Sequence, residues 1–280
     1  MTGIIDVGGG LRGIYGAGVL DRCMDDGLRF DVCVGVSAGS ANMAAFLAGQ
    51  RGRNYLFYTE YAARRQYMGA YTLASKREYI DLDYVYGTLS NEGGDSPLDY
   101  DALMANPSAL CAVATDAATG EPVYFSKEDL KKNDYRVFNA SCAMPVACKP
   151  QAVGERYYCD GGVADPVPVE RALAMGCDFI VLVLTRPVLF TGENHADQVA
   201  ARVLSQSNPS VAALLRTRGQ RYRQGVAMAL DLEKAGRCRV IAPTDTCGVG
   251  TVTRDRKKLR RLYFSGYHDA RVLRDILQDH

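Results

Sequence analysis

A serine between glycines, an aspartate followed by glycines and a run of three glycines are the residues here whose types and spacing suit acyl-transfer chemistry. The serine lies in Gly35-Val36-Ser37-Ala38-Gly39, between the apolar run Phe30 to Val34 and the small-residue stretch Ser40 to Leu47. A strand that turns at once into a helix lifts a serine hydroxyl out of the sheet edge. Glycines on both flanks let the chain pass that corner without a side-chain clash. Upstream, Ile4-Ile5-Asp6-Val7 runs into Gly8-Gly9-Gly10-Leu11-Arg12-Gly13. Glycines at a helix start leave backbone N–H groups bare at the positive end of the helix dipole. That is an anion cradle, and an oxyanion hole is one use of it. The third piece is Asp160-Gly161-Gly162, after Tyr157-Tyr158-Cys159. An aspartate at a strand end, in a glycine turn, could reach the serine as its general base.

These pieces need a scaffold that brings them to one place. Ile14, Ala17, Leu20 and Met24 recur at steps of three and four, which predicts a helix after the glycine loop. Strand-like runs occur at Ile4–Val7, Phe30–Val34, Leu110–Ala114 and Phe179–Leu184 with helical stretches between them. The alternation predicts an α/β fold with a mostly parallel sheet covered by helices on both faces. If the first two strands are neighbours, their carboxyl ends lie side by side, and the glycine loop and Ser37 face one crevice.

Residues 51–101 are rich in tyrosine and turn formers, as in Ser90-Asn91-Glu92-Gly93-Gly94-Asp95-Ser96-Pro97, and are expected to form a cap or lid beside that crevice. Asp116 is expected to cap the turn of a hairpin ending near Tyr124. Asp165, ahead of Pro166 and Pro168, is expected to cap a helix through Glu170 to Met175. Helical patterns at Val211–Leu215, Gln224–Leu232 and Ala270–Leu277, with a short run Arg239–Ala242, follow. Residues 1–190 are accordingly read as a catalytic domain and 191–280 as a smaller, mostly helical portion packed on it.

Together, Gly8-Gly9-Gly10-Leu11-Arg12-Gly13, the Ser37 pentapeptide and Asp160-Gly161-Gly162 resemble the three signatures of the patatin-like phospholipases, in family order. Ala140-Ser141-Cys142-Ala143-Met144-Pro145 also looks like that family's Ala-Ser-x-Ala-x-Pro segment, and the resemblance extends over roughly residues 1 to 185. It implies a three-layer α/β/α sandwich and a Ser37–Asp160 dyad that cleaves lipid esters through an acyl-enzyme. Gly8, Gly9 and Gly10 would hold the oxyanion, with Arg12 ordering the loop or screening charge. Gly35, Gly39, Gly161 and Gly162 would shape the elbow and the aspartate turn. No metal or cofactor is implied.

Rival readings draw on the same residues. The glycine run also fits the dinucleotide fingerprint Gly-x-Gly-x-x-Gly, but that fingerprint wants an acid at the far end of the second strand, where Gly35-Val36-Ser37 stands. A Ser-His-Asp esterase would draw on His195, His268 or His280, yet that fold places several strands before its nucleophile, and only one fits ahead of Ser37. A catalytically silent module that binds a membrane or partner is the third alternative.

Composition narrows the setting. The 280 residues are 48% hydrophobic and 23% charged, ordinary for a globular protein, with no apolar run long enough for a membrane span. The start, Met-Thr-Gly-Ile-Ile-Asp, lacks a basic region and a long apolar stretch, so a cleaved signal peptide is not expected. Nine cysteines, an odd number with no Cys-x-x-Cys pair, read as reduced core residues and favour a cytoplasmic setting. Residues 201–280 carry 16 Lys and Arg against 7 Asp and Glu, a net of +9, so residues 1–200 carry −8. The densest run, Arg254, Arg256, Lys257, Lys258, Arg260 and Arg261, could touch anionic lipid or form a solvated helix face. A lipid ester is the partner expected; a nucleic acid is not.

Overall fold

The computed structural model describes residues 1–190 and 195–278. Its core is an eight-stranded sheet of β1 (Thr2–Asp6), β2 (Val32–Val36), β3 (Ala109–Asp116), β4 (Pro122–Phe125), β5 (Gln151–Val153), β6 (Arg156–Asp160), β7 (Phe179–Val183) and β8 (Cys238–Ile241). The order is β5-β6-β3-β2-β1-β7-β8, with β4 paired to β3 off this path. The five strands from β3 to β8 are parallel, whereas β4, β5 and β6 pair antiparallel.

Alternation along the strands divides the core in two. In β7, Phe179, Val181 and Val183 pack into one apolar cluster, and Ile180 and Leu182 into another. Both faces are covered because successive strand side chains point to opposite sides and each apolar set needs its own layer. One layer holds α1 (Ile14–Asp25), α2 (Ala38–Leu47), α3 (Arg53–Thr59), α4 (Ala70–Lys76), α5 (Tyr100–Ala105) and α6 (Arg136–Cys142). On the other face lie α7 (Val169–Ala174), α8 (His195–Leu204) and α9 (Pro209–Lys234). The chain then returns to the first face, where α10 (Arg256–Asp269) packs on α1 before α11 (Val272–Gln278). The protein is thus a three-layer α/β/α sandwich on a mostly parallel sheet.

Residues beyond 190 reach into every layer, since β8 extends the sheet beside β7 while α9 and α10 lie on opposite faces. The two helical stretches expected at Val211–Leu215 and Gln224–Leu232 are one 26-residue helix. Asn208 caps it, with its side chain accepting the Val211 N–H, and Pro209 opens the first turn, where it gives up no hydrogen bond. The polar stretch between them continues the helix. Asp116 caps its turn as expected, accepting N–H groups of Ala118 and Thr119 at 2.9 and 3.0 Å. Asp165 does not cap α7. Pro168 holds the N-cap position, and Asp165 instead accepts the Tyr124 hydroxyl at 2.8 Å. All nine cysteines are free.

One feature of the register positions the chemistry. Ala112 and Val113 of β3 pair with both β2 and β4, and Ala114 and Thr115 pair with both β4 and β6. A strand has two edges, so β2 and β6 share one edge of β3, and β6 takes over where β2 turns away. The two run toward each other and stop at adjacent β3 residues, Val36 opposite Val113 and Asp160 opposite Ala114.

Candidate active site

Ser37 follows the last residue of β2 and starts α2, with φ 55° and ψ −131°. A non-glycine residue held there stores on the order of 1–3 kcal/mol of strain. Crowding on both sides explains the flanking glycines. A Cβ on Gly35 would lie 2.4 Å from the Ser40 Cα, and one on Gly39 would lie 2.2 Å from the Asp6 carbonyl oxygen. The corner is tied down by its backbone. Ser37 N–H donates to Ser141 Oγ at 3.1 Å, and Ser141 Oγ–H donates to the Val113 carbonyl at 2.6 Å. The Ser37 carbonyl accepts from Ser40 N–H at 2.9 Å and Ser40 Oγ at 2.7 Å. Its own hydroxyl makes no capping bond to the helix it begins.

Ser37 and Asp160 are both buried and line the same cleft. Asp160 is 6% exposed, and Oδ1 accepts the Gly162 N–H at 2.8 Å. Burial raises its pKa above the ordinary value, while Arg218, the Ser37 hydroxyl and the Gly162 N–H pull the other way. The Ala140–Pro145 segment grips both residues: Ser141 holds the Ser37 backbone, and the Ala143 carbonyl accepts the Asp160 N–H at 2.9 Å.

The glycine loop departs from the expectation in one respect. The Gly8 N–H is not part of the cradle, because it donates to Asp6 Oδ1 at 2.9 Å. Leu11 N–H donates to the Thr251 carbonyl, which leaves Gly9 and Gly10 N–H without a hydrogen-bond acceptor among the described residues. Asp6 is fully buried, also accepts from Asn42 on α2 at 2.8 Å, and has its pKa raised by desolvation to about 6. It therefore braces the glycine loop against the elbow helix. Arg12 packs beneath the loop, with Nη1 donating to Thr251 Oγ1 at 2.8 Å. Burial first, and then Arg186 and Arg218, lower its pKa to about 9.

Ser37, Asp160, Gly10, Met144 and Thr251 line two cavities that meet at the serine. The first runs under residues 53–90 and is walled mainly by Phe57, Tyr67, Ile80, Leu82, Val85 and Leu89, with Asn42, Asn54 and Arg53 also in its lining and Arg53 Nη2 held by Ser90 Oγ and the Ser96 carbonyl. The second is walled by Arg12, Arg186, Asp197, Arg218 and Tyr222. Sequence reading gave no role to Thr251, Arg186, Arg218 or Tyr222. No local motif marks them, and only the loops after β7 and β8 and the length of α9 bring them here. Of the histidines, His195 and His268 are exposed and line neither cavity, and His280 lies outside the described residues.

Residues 7–173 match the family model described as patatin-like phospholipase, and residues 208–275 match a domain of unknown function (DUF6363). The uncharacterized protein YjjU of Escherichia coli K12 is 31% identical over 187 residues, covering 64% of this chain and 50% of that protein. An uncharacterized NTE family protein of Mycobacterium bovis is 32% identical over 82 residues, covering 29% of this chain and 22% of its own length. The chain thus matches half or less of the length of these curated relatives. Among solved structures, VipD from Legionella pneumophila aligns over 98% of this chain and 66% of that chain, at 12% identity and a TM-score of 0.49. With a family match over more than half its length, in a range that includes the glycine loop, the elbow and the aspartate turn, the chain belongs to the patatin-like phospholipase family.

Proposed function

We propose that this protein is a serine acyl hydrolase that cleaves carboxylic esters of lipids with Ser37 as nucleophile and Asp160 as general base. The observation that carries this reading is a strained elbow serine and a buried aspartate lining the same two cavities, one of them largely apolar, beside two unpaired backbone N–H groups. Ser37 Oγ attacks the ester carbonyl carbon as Asp160 takes its proton. The oxyanion is held by Gly9 and Gly10 N–H, and the positive end of α2 lies at the same point. Collapse expels the alcohol, which leaves with the proton held by Asp160, and the acyl group stays on Ser37. Water then attacks the acyl-enzyme, giving a proton to Asp160, and the fatty acid departs as the proton returns to Ser37. An ordinary aspartate is a weak base for an alcohol. Desolvation improves it, and the apolar wall that suits an acyl chain supplies that desolvation.

No helix among the described residues is long and apolar enough to cross a membrane. The apolar side of α10, Leu259, Leu262 and Tyr263, is buried within the protein, while Lys257, Lys258, Arg260 and Arg261 face solvent. In this reading, contact with an anionic lipid surface is electrostatic rather than by insertion.

A fluorophosphonate probe tests the chemistry. It should label the wild-type protein at Ser37 and leave Ser37→Ala unlabelled. A folded wild-type chain that takes no label would be a silent member of the fold.

A further inference from the structure

The second cavity has a chemistry that ester cleavage alone does not require. Arg12, Arg186 and Arg218 all line it. Among the described residues Arg218 has one carboxylate partner, Asp197 at 3.3 Å, and its Nε donates to the Gly162 carbonyl at 2.6 Å. Arg12 and Arg186 pair with no carboxylate among the described residues. Arg12 is 8% exposed and its buried Nε has no acceptor, while Arg186 lies over the Phe190 ring at 4.0 Å. The Tyr222 hydroxyl, one helical turn after Arg218 on α9, is also buried without a partner. Three guanidinium groups beside an unpaired phenol O–H in a desolvated cleft are costly unless an anion completes them. The carboxylates of Asp160 and Asp197 line the same cleft and offset part of the charge.

We propose that the cavity walled by Arg12, Arg186, Arg218 and Tyr222 is a subsite for a phosphate group on the alcohol side of the ester. Guanidinium forks and a phenol O–H are donors only toward such a group, and phosphate offers several acceptor oxygens at once. The position fits the sidedness of the cleavage. The apolar cavity receives the acyl chain on one side of Ser37, and the cationic cavity receives the departing alcohol on the other. Arg186, Arg218 and Tyr222 lie outside residues 7–173, and the last two lie in the segment matched by a domain of unknown function. That segment would therefore supply head-group selectivity to the hydrolase. The subsite deepens the reading given under Proposed function and rests on it for the identity of the substrate.

Two measurements separate the subsite from the hydrolase reading. In the first, glycerol 3-phosphate and inorganic phosphate are titrated calorimetrically into the full chain, with no turnover involved. Wild type should bind glycerol 3-phosphate, and Arg186→Gln should weaken that binding by roughly ten- to a hundredfold. Tyr222→Phe, which removes only an unpartnered hydroxyl, should weaken it by a smaller factor without lowering the melting temperature. In the second, kcat/KM is compared for monobutyrylglycerol and monobutyrylglycerol phosphate. The phosphate ester should be preferred roughly tenfold or more by wild type, and the preference should collapse in Arg186→Gln. Equal affinity for inorganic phosphate would assign the subsite to free phosphate, and tighter binding of glycerol 3-phosphate would assign it to a head group. Absence of binding to both probes, or equal binding by wild type and both variants, overturns the subsite. Hydrolysis of both esters at equal rates overturns it while the hydrolase reading stands. Phosphate binding with no ester cleaved would sink the hydrolase reading alone.

Discussion

Replacing Ser141 with alanine should damage both stability and turnover, although Ser141 is not a proposed catalytic group. Its side chain is fully buried and makes two hydrogen bonds, accepting from Ser37 N–H and donating to the Val113 carbonyl. Alanine removes both and leaves the Ser37 N–H buried without its acceptor. A net hydrogen bond is worth about 1 kcal/mol, and an orphaned buried group costs about 1–3 kcal/mol, so the total loss should be about 2–4 kcal/mol. For a chain of this size that is on the order of 10 °C in melting temperature. Turnover should fall further than stability suggests, because Ser37 sits in a strained conformation that its backbone contacts must hold. A shift of about 1 Å in a reacting group costs roughly a hundredfold in rate. The assay is kcat and KM on a soluble short-chain ester, at a temperature where circular dichroism shows the variant fully folded. A hundredfold drop in kcat with KM nearly unchanged is expected. A variant that melts within about 1 °C of wild type and keeps kcat within twofold would refute the idea that Ser141 holds the elbow.

The remaining predictions concern the dyad, two buried acids and the basic helix. Asp160→Asn should abolish ester cleavage while His195→Ala and His268→Ala keep most of it; loss in either histidine variant with the fold intact would restore a triad. Asp160 must be ionised to accept a proton, and burial raises its pKa, so kcat/KM should rise with pH through a limb above the ordinary aspartate value. Arg218→Gln should move that limb higher still, and an unmoved limb counts against Asp160 as the base. For Asp6 the folded pKa, about 6, exceeds the unfolded 3.8. The folded state then holds the proton more tightly, so this group's stability contribution is full below pH 3.8 and is lost as pH rises through about 6, a change of about 3 kcal/mol. Denaturant titrations of wild type and Asp6→Asn should diverge by that amount across the window, and parallel curves would exclude the effect. Replacing Lys257, Lys258 and Arg261 with glutamine should weaken flotation with anionic vesicles by roughly 2–3 kcal/mol at low salt and less at high salt. Equal flotation of both proteins would leave the run a solvated face.

The layered fold was legible because it is written in local patterns. The runs at Ile4–Val7, Phe30–Val34, Leu110–Ala114 and Phe179–Leu184 coincide with β1, β2, β3 and β7 to within a few residues. The elbow and the aspartate turn were visible for the same reason, since glycines mark places where backbone approaches backbone. What stayed hidden depends on partners far away in sequence. Nothing near Asp165 shows that a tyrosine on β4 will bind it. Arg186, Arg218 and Thr251 carry no local motif, and only the meeting of the loop after β7, α9 and the loop after β8 brings them to Ser37. The basic run on α10 was visible, but not that its apolar side is buried within the protein.

The place of β1 in the sheet has a consequence for biosynthesis. β1 is made first, yet it lies between β2 and β7, and its Ile4 pairs with Val181, 177 residues later. At about 5–20 residues per second, roughly ten to thirty-five seconds pass before the ribosome completes that neighbour. Through that interval one edge of this central strand has no partner, and the sheet cannot be completed until β7 arrives. Nascent chains stalled before Phe179 should therefore be protease-sensitive and chaperone-bound, and protection should appear abruptly once β7 has cleared the exit tunnel.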